Sequence, residues 1–289
     1  MFHRDYFRSH IMTPLSTNRT QWTSLLLLLA ACPATAQDKI DLSGQWTFRL
    51  DPQDVGINER WCDQSLENPI QLPGSLQEQG YGNDISVDTP WTGSIIDRSW
   101  FDEPRYERYR QPGQVKVPFW LQPAKHYIGP AWYQRTVQVP RDWQGRRLML
   151  RLERPHWETR LWVDGTEVGT RNSLATPHEY ELTRHLTPGA AQRDQHVLTI
   201  RVDNTVKIDV GENAHSVSDH TQSNWNGIVG ELALLATDRI WIDDVQVFPD
   251  VDARAAKVRV SVGNMTDGGV NGTLVLKAES FNTTAEHAP

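Results

Sequence analysis

The polar run at 219–226 surrounds a single aromatic residue with groups that can bind hydroxyls. Its charged, imidazole, amide and indole side chains are Asp219, His220, Asn224, Trp225 and Asn226. Amides and carboxylates hydrogen-bond hydroxyl groups, while an indole face packs on the apolar side of a sugar ring. The run therefore predicts carbohydrate contacts. In the alternative interpretation, the asparagines stabilise a turn and Trp225 belongs to the core. Trp91, in an aromatic-rich loop, has the same two interpretations.

Other sets of reactive side chains give weaker evidence of a functional site. Two histidines and one acid, His215, Asp219 and His220, form only a weak metal pattern, because zinc usually takes three or four ligands. We predict no metal and no cofactor. Acids are frequent between 84 and 103, but solvated surface carboxylates are their default interpretation. Cys62 is interpreted as a small buried hydrophobic residue rather than a reactive thiol.

Composition limits the function classes. The chain has 289 residues, 38% of them hydrophobic, so a core can form and wholesale disorder is excluded. Its net charge of −7, with dispersed signs, argues against a nucleic-acid partner, because phosphate neutralisation needs a basic face. Two cysteines cannot make a disulfide framework or a cysteine-rich zinc site.

The N-terminus resembles an export signal. Arg4, Arg8 and Arg19 precede a short apolar run at 25–31, which is too short to span a bilayer as a helix. The sequence offers two cleavage sites. One is the small-residue site at 34–36. The other belongs to a lipoprotein-like box that ends at Cys32, and there Cys32 would be lipidated. We therefore expect residues 1–36 to be a signal peptide. The protein would be exported to the bacterial periplasm or cell surface, with membrane contact only through an anchor at Cys32.

The remaining chain shows strand patterns and no sustained helical stripe. Alternation of period two occurs at 46–50, 132–139, 147–152, 159–163, 196–202, 240–248, 257–262 and 273–278. Asp164 and Gly165 form the dipeptide of a tight hairpin, and Trp46, Trp132 and Trp162 sit at core positions of strands. The patterns predict an all-β fold, a jelly-roll β-sandwich at 37–238 followed by an incomplete immunoglobulin-like sandwich at 239–289.

Residues 73–130 interrupt the strand pattern. They are rich in glycine, proline, aspartate and aromatic residues, and their periodicity is weak. A loop region of this length in a compact domain is usually functional or an insertion. Unstructured linkers do not concentrate aromatic residues in this way.

Several motifs, taken in order, resemble the N-terminal part of glycoside hydrolase family 2, which contains β-galactosidases, β-glucuronidases and β-mannosidases. They are LSGQW at 42–46, LPGS at 72–75, GYG at 80–82, GPAWYQR at 129–135, LWVDG at 161–165, RVDN at 201–204 and NWNGIVG at 224–230. The resemblance covers about 40–238. It implies a sugar-binding jelly roll and, from 239 onward, the start of the family's immunoglobulin-like domain.

The resemblance also limits what this chain can do alone. In the family, a pair of glutamates on a later (β/α)₈ barrel performs the catalysis, and no residue here matches either one, so we assign no catalytic residues. The expected function is the carbohydrate-binding part of an exported, β-galactosidase-like hydrolase. Its expected partners are a β-glycoside and the catalytic barrel of the same protein. The alternative is a stand-alone carbohydrate-binding module at the cell surface.

Overall fold

Strands dominate the computed structural model, which describes residues 38–90, 98–118, 124–186, 194–209, 211 and 224–277. The described residues fall into two units, which divide between Asp238 and Arg239. The strands of the larger unit are β1 (Asp38–Asp41), β2 (Gly44–Leu50), β3 (Asn68–Leu72), β4 (Gly74–Ser75), β5 (Asn83–Asp84), β6 (Lys125–His126), β7 (Pro130–Gln138), β8 (Arg147–His156), β9 (Glu158–Val163), β10 (Thr166–Asn172), β11 (His178–Glu181), β12 (Gln195–Asp203) and β13 (Gly227–Thr237).

The larger unit is a sandwich of two antiparallel sheets. Sheet I has the order β1-β13-β8-β11, with β4 also paired to β13, and sheet II has the order β10-β9-β12-β7-β2-β3. One apolar core lies between them, and it draws on Leu150 and Leu234 from sheet I and on Tyr133 and Ile200 from sheet II. The prediction of an all-β sandwich is confirmed.

The period of two explains why each strand has an inner face. On β12, Leu198, Ile200 and Val202 are fully buried in the core. Between them, Thr199 and Arg201 point to the opposite face of sheet II, since successive side chains on a strand alternate. This alternation fixes the register, because a slip of one residue would place the polar set in the core.

The outer face of sheet II is covered as well. Trp132 and Trp162 stack there with ring centroids 4.9 Å apart, and Trp61 from the segment after β2 packs on them. Trp46 lies in the main core, so the prediction that all three strand tryptophans are buried is confirmed. Cys62 is buried in the same outer cluster, and burial raises the pKa of its thiol, as expected for a packing residue.

The Asp-Gly hairpin is confirmed. Asp164 and Gly165 connect β9 to β10 with φ values of 48° and 75°, the left-handed backbone that a tight two-residue turn requires. A side chain at Gly165 would also collide with the Asp63 carboxylate. Glycine is therefore favoured here by its conformation, and a larger residue would also have to displace the Asp63 side chain.

The 73–130 region contains short helical turns. An α-helix, α1, spans Ser99–Asp102, and a 3₁₀ turn spans Pro104–Tyr109. Trp100 of α1 is buried against Val117, and Tyr106 of the 3₁₀ turn packs against this pair. In the part of the chain that the structure describes, no helix has the length and hydrophobicity of a membrane span.

The smaller unit contains one antiparallel hairpin, β14 (Ile240–Asp250) paired with β15 (Ala255–Asn264). The two strands predicted here from the sequence are confirmed. The third, at 273–278, is wrong for its described residues, because 273–277 form no strand and are exposed. Alternation in the sequence gives a segment one apolar face, but a strand also needs a neighbouring strand with which to exchange hydrogen bonds.

Candidate functional site at one end of the sandwich

Five segments meet where β12 ends and β13 begins. Register pairs Asp203 with Pro130, and Gly227 with both His156 and Ser75. The strand ends therefore bring together residues 75–77, 127–129, 156–157, 204–209 and 224–226, which we call the loop end. The predicted polar run 219–226 finishes here.

Two asparagines join the segments on either side of residues 205–223. The Asn204 amide donates to Asn224 Oδ1 at 3.1 Å, and the Asn224 amide donates to the Asn204 carbonyl at 2.8 Å. Asn204 also accepts from the Gly129 N–H at 2.8 Å and donates to the Tyr127 carbonyl at 2.9 Å. Both asparagines are buried, so these bonds are shielded from water and hold the two ends at one point.

Asn226 lies deeper and ties the loop end to the core. Its amide donates to the carbonyls of Gly129 (2.9 Å) and Val202 (3.0 Å), and its Oδ1 accepts from the Tyr133 hydroxyl at 2.8 Å. Its backbone N–H donates to Gln77 Oε1 at 3.2 Å. Burial raises the pKa of the Tyr133 hydroxyl well above its ordinary range, so Tyr133 remains a donor.

Trp225 lies between these two buried asparagines, but its own side chain is only half-buried. The indole stacks on the His156 ring, with centroids 4.6 Å apart and an interplanar angle of 23°. His156 Nδ1 also lies 2.6 Å from the Trp225 carbonyl oxygen. The carbonyl contact and the ring stack therefore hold this partly buried residue in place.

A charged cluster supports β12 next to the loop end. Arg201 Nη2 contacts Asp203 at 3.2 Å, and Lys207 Nζ lies 2.6 Å from the same carboxylate. Burial works to raise the pKa of Asp203, but hydrogen bonds from Lys207 and Thr205 outweigh it and keep that pKa below its usual value. Asp203 is therefore held ionised as a structural anchor.

Exposed apolar side chains border the buried network. Ile128 is 41% exposed, Val206 is 53% exposed and Ile208 is 59% exposed. Each lies within a few residues of Asn204 or of its partner Gly129. Single exposed apolar residues are common on protein surfaces, whereas a contiguous patch of them marks a contact with another molecule or domain.

The predicted site residues divide into two groups. Asn224, Trp225 and Asn226 are brought together at the loop end, while Asp219, His220 and Trp91 lie outside the described residues. The two asparagines use their amides on internal partners, and Trp225 is partly buried. Carbohydrate contact by this set stays a prediction. Sequence reasoning missed the roles of His156 and Asn204, whose partners lie 69 and 20 residues away along the chain.

Comparison with known proteins identifies the family. The description "Glycosyl hydrolases family 2, sugar binding domain" matches residues 40–238, which include both sheets and the loop end. The chain belongs to glycosyl hydrolase family 2. The match ends at the residue where the larger unit ends.

Relatives within family 2 agree with this assignment. The chain is 26% identical over 237 residues to a β-glucuronidase of Paenibacillus borealis, covering 77% of this chain and 33% of that protein. It is 22% identical to the β-galactosidase large subunit of Leuconostoc lactis, covering 78% and 34%. The chain thus spans about a third of the length of these relatives.

Solved structures show the same fold. A β-glucuronidase from an uncultured Clostridium species superposes with a TM-score of 0.51 at 21% identity, over 79% of this chain and 34% of that one. A Ruminococcus gnavus β-glucuronidase in complex with uronic deoxynojirimycin gives a TM-score of 0.52 at 15% identity, covering 79% and 34%. At these identities the likeness concerns the fold alone.

Proposed function

We propose that this chain is the N-terminal carbohydrate-binding part of an exported family 2 glycoside hydrolase that acts on β-glycosides in a β-galactosidase-like manner. The observation that carries the proposal is the loop end, where a half-buried indole lies on a buried hydrogen-bond network. A rigid aromatic face among polar loops provides both the stacking surface and the orientation that sugar recognition needs.

In this proposal the chemistry belongs to another part of the same protein. Retaining hydrolysis needs two carboxyl groups about 5–5.5 Å apart on either side of the glycosidic bond. The family places such a pair of glutamates on a later (β/α)₈ barrel. The role of the present unit is to form one wall of the sugar pocket. The exposed aliphatic groups Ile128, Val206 and Ile208 supply an apolar surface for packing against that barrel.

Export is part of the proposal and rests on the N-terminal signal pattern. Residues 1–36 would be removed, or the chain would be cut before Cys32 and anchored there by lipid. Mass spectrometry of the mature protein separates the two forms. A lipidated Cys32 at the new N-terminus supports the anchor, and Gln37 at the N-terminus supports ordinary cleavage. Retention of residues 1–36 in the mature protein would contradict export through this signal.

The binding role is tested with Trp225→Ala. Calorimetric titration of the purified chain with methyl β-galactoside, β-glucuronide and β-mannoside should show saturable binding of at least one of them. Trp225→Ala should weaken that binding by about fivefold or more, since loss of an aromatic stacking face costs on the order of 1 kcal/mol or more. The melting temperature should fall less than in Trp132→Ala, because Trp132 is fully buried and Trp225 is only partly buried.

One observation favours the stand-alone module as a second candidate. The described contacts of the loop end are all made within the larger unit, so the site needs no other domain to hold its shape. Reading the gene beyond the codon for Pro289 separates the two candidates. A frame that continues into βα alternation with two candidate glutamates supports the hydrolase part. An in-frame stop with no barrel downstream supports the module.

A further inference from the structure

Two Asn-Gly dipeptides occur in the sequence, at 226–227 and at 271–272. In such a pair the backbone nitrogen of the glycine can attack the side-chain carbonyl carbon of the asparagine, because glycine has no Cβ to block the approach. The attack needs an asparagine amide that can turn and a glycine N–H that is not engaged elsewhere. The structure places the two dipeptides in opposite surroundings.

The first dipeptide is locked in the core. The Asn226 amide donates to the carbonyls of Gly129 and Val202, and the side chain is fully buried. Gly227 begins β13, and its backbone lies so close to the Gly74 carbonyl oxygen that a Cβ there would collide with it. Reaction at this dipeptide therefore requires local opening of the fold beforehand.

The second dipeptide is open. Asn271 and Gly272 are both exposed and belong to no helix or strand. Within the described part of the chain, no group hydrogen-bonds the Asn271 amide or the Gly272 N–H. A Cβ placed on Gly272 would meet no described atom within 4 Å. The two reacting groups can therefore approach each other without any opening of the fold.

Asn264, the last residue of β15, is exposed as well but lacks both requirements. Its Oδ1 accepts from the Thr266 N–H at 2.8 Å and from the Thr266 hydroxyl at 2.7 Å, and its amide donates to the Gly268 carbonyl at 3.0 Å. The next residue is Met265, whose side chain hinders attack by its backbone nitrogen. Asn264 is thus a natural control for exposure, as Asn226 is for the glycine that follows.

We propose that Asn271 is a site of spontaneous deamidation, with water as the only co-reactant. The Gly272 nitrogen loses its proton to water and bonds to Asn271 Cγ, while the Cγ–Nδ2 bond breaks and the amide nitrogen leaves as ammonia with a proton taken from water. The product is a succinimide ring. A water molecule then opens the ring at either carbonyl, which gives aspartate or isoaspartate, and no atom is oxidised or reduced.

The reaction changes both the charge and the backbone of its segment. Asp267 and Lys277 are the ionisable side chains of residues 265–277, and their charges balance, so a new carboxylate makes this segment negative. Isoaspartate also adds one carbon to the main chain directly before 273–277, which alternate in sequence but form no strand. The site lies in the smaller unit, is independent of sugar binding and goes beyond the proposed function.

The test follows the intact amides during incubation of the purified chain at neutral pH. Tryptic digestion places Asn264 and Asn271 in one peptide, 260–277, and Asn226 in another, 208–239, so tandem mass spectrometry measures all three in one sample. Conversion at Asn271 should be at least about tenfold faster than at either of the others. In urea that unfolds the chain, Asn226 should react about as fast as Asn271, while Asn264 should stay slow.

A pair of glycine variants separates the proposed attack from general exposure. Gly272→Ala places a methyl group beside the attacking nitrogen and should slow conversion of Asn271 by about tenfold or more. Gly269→Ala is the matched control, because neither glycine has a positive φ or a described atom within 4 Å of its Cβ position, and it should leave the rate unchanged.

Three results would overturn the proposal. The first is an Asn271 that keeps its amide over the period in which the unfolded chain is deamidated at both Asn-Gly pairs. The second is a folded chain in which Asn226 or Asn264 converts as fast as Asn271. The third is equal rates of conversion in Gly272→Ala and Gly269→Ala.

Discussion

Replacing Asn226 with alanine tests whether this residue holds the loop end together or binds ligand. The side chain is fully buried and makes three bonds, to the Gly129 and Val202 carbonyls and from the Tyr133 hydroxyl, at 2.8–3.0 Å. A net contribution of about 1 kcal/mol for each bond gives a loss of about 3 kcal/mol in the free energy of unfolding. The loss grows if the orphaned groups stay dry, since each then costs about 1–3 kcal/mol.

Urea denaturation measures this loss. Asn226→Ala should shift the midpoint to lower urea with an unchanged slope. Tyr133→Phe, which removes one of the three bonds, should cost about a third as much, and the double variant should cost less than the sum of the two. Asn68→Ala is the matched control: Asn68 is exposed and makes one long bond of 3.4 Å, so its loss should stay within about 0.5 kcal/mol.

A loss below about 1 kcal/mol for Asn226→Ala would refute this reasoning, because three buried bonds cannot vanish at so small a cost. If the same variant instead abolished binding of a glycoside while remaining as stable as wild type, Asn226 would be a ligand-binding residue. Its hydrogen bonds to Gly129 and Val202 would then be incidental to stability.

Two further predictions concern the stability contributed by buried side chains. Trp132→Ala should lower the free energy of unfolding by about 3–5 kcal/mol, because removal of a fully buried indole leaves a large cavity. Thermal or urea denaturation measures this loss. If Trp132→Ala and Trp225→Ala were equally stable, the difference in burial between the two residues would be contradicted. Burial lowers the pKa of His178 below that of an unfolded histidine, so the fold favours its neutral form and stability should fall as pH drops below about 6.5. In His178→Gln the stability change between about pH 7 and pH 5 should be smaller than in wild type, and an unchanged profile would exclude His178 as its source.

Local patterns were sufficient to predict most of the fold. The alternation of apolar and polar residues at 196–202 shows which side chains of β12 are buried, so this strand can be predicted without knowledge of its neighbours. The turn between β9 and β10 is likewise predicted by two adjacent residues, Asp164 and Gly165. The segment 273–277 has the same alternation yet forms no strand, because hydrogen bonding to a neighbouring strand is a property of distant residues. The helical turns at 99–109 are too short to show a helical period.

The site was harder to predict for the same reason. Asn224, Trp225 and Asn226 of the polar run all lie at the loop end, and their contact with a sugar stays a prediction. What the sequence does not contain is the partner of each group. The bonds of Asn204 to Asn224 and the stack of His156 on Trp225 join residues that only the sandwich brings together.

The most direct test of the sugar-binding role follows the indole N–H resonances of the ¹⁵N-labelled chain during titration with β-glycosides. The Trp225 signal is assigned by its absence from the spectrum of Trp225→Phe. If the loop end binds sugar, this signal moves saturably with at least one β-glycoside, while the signals of the buried Trp46 and Trp132 stay in place. A Trp225 signal that does not move at saturating concentrations of a bound glycoside, or movement of other tryptophans only, would contradict the assignment of the sugar site to the loop end.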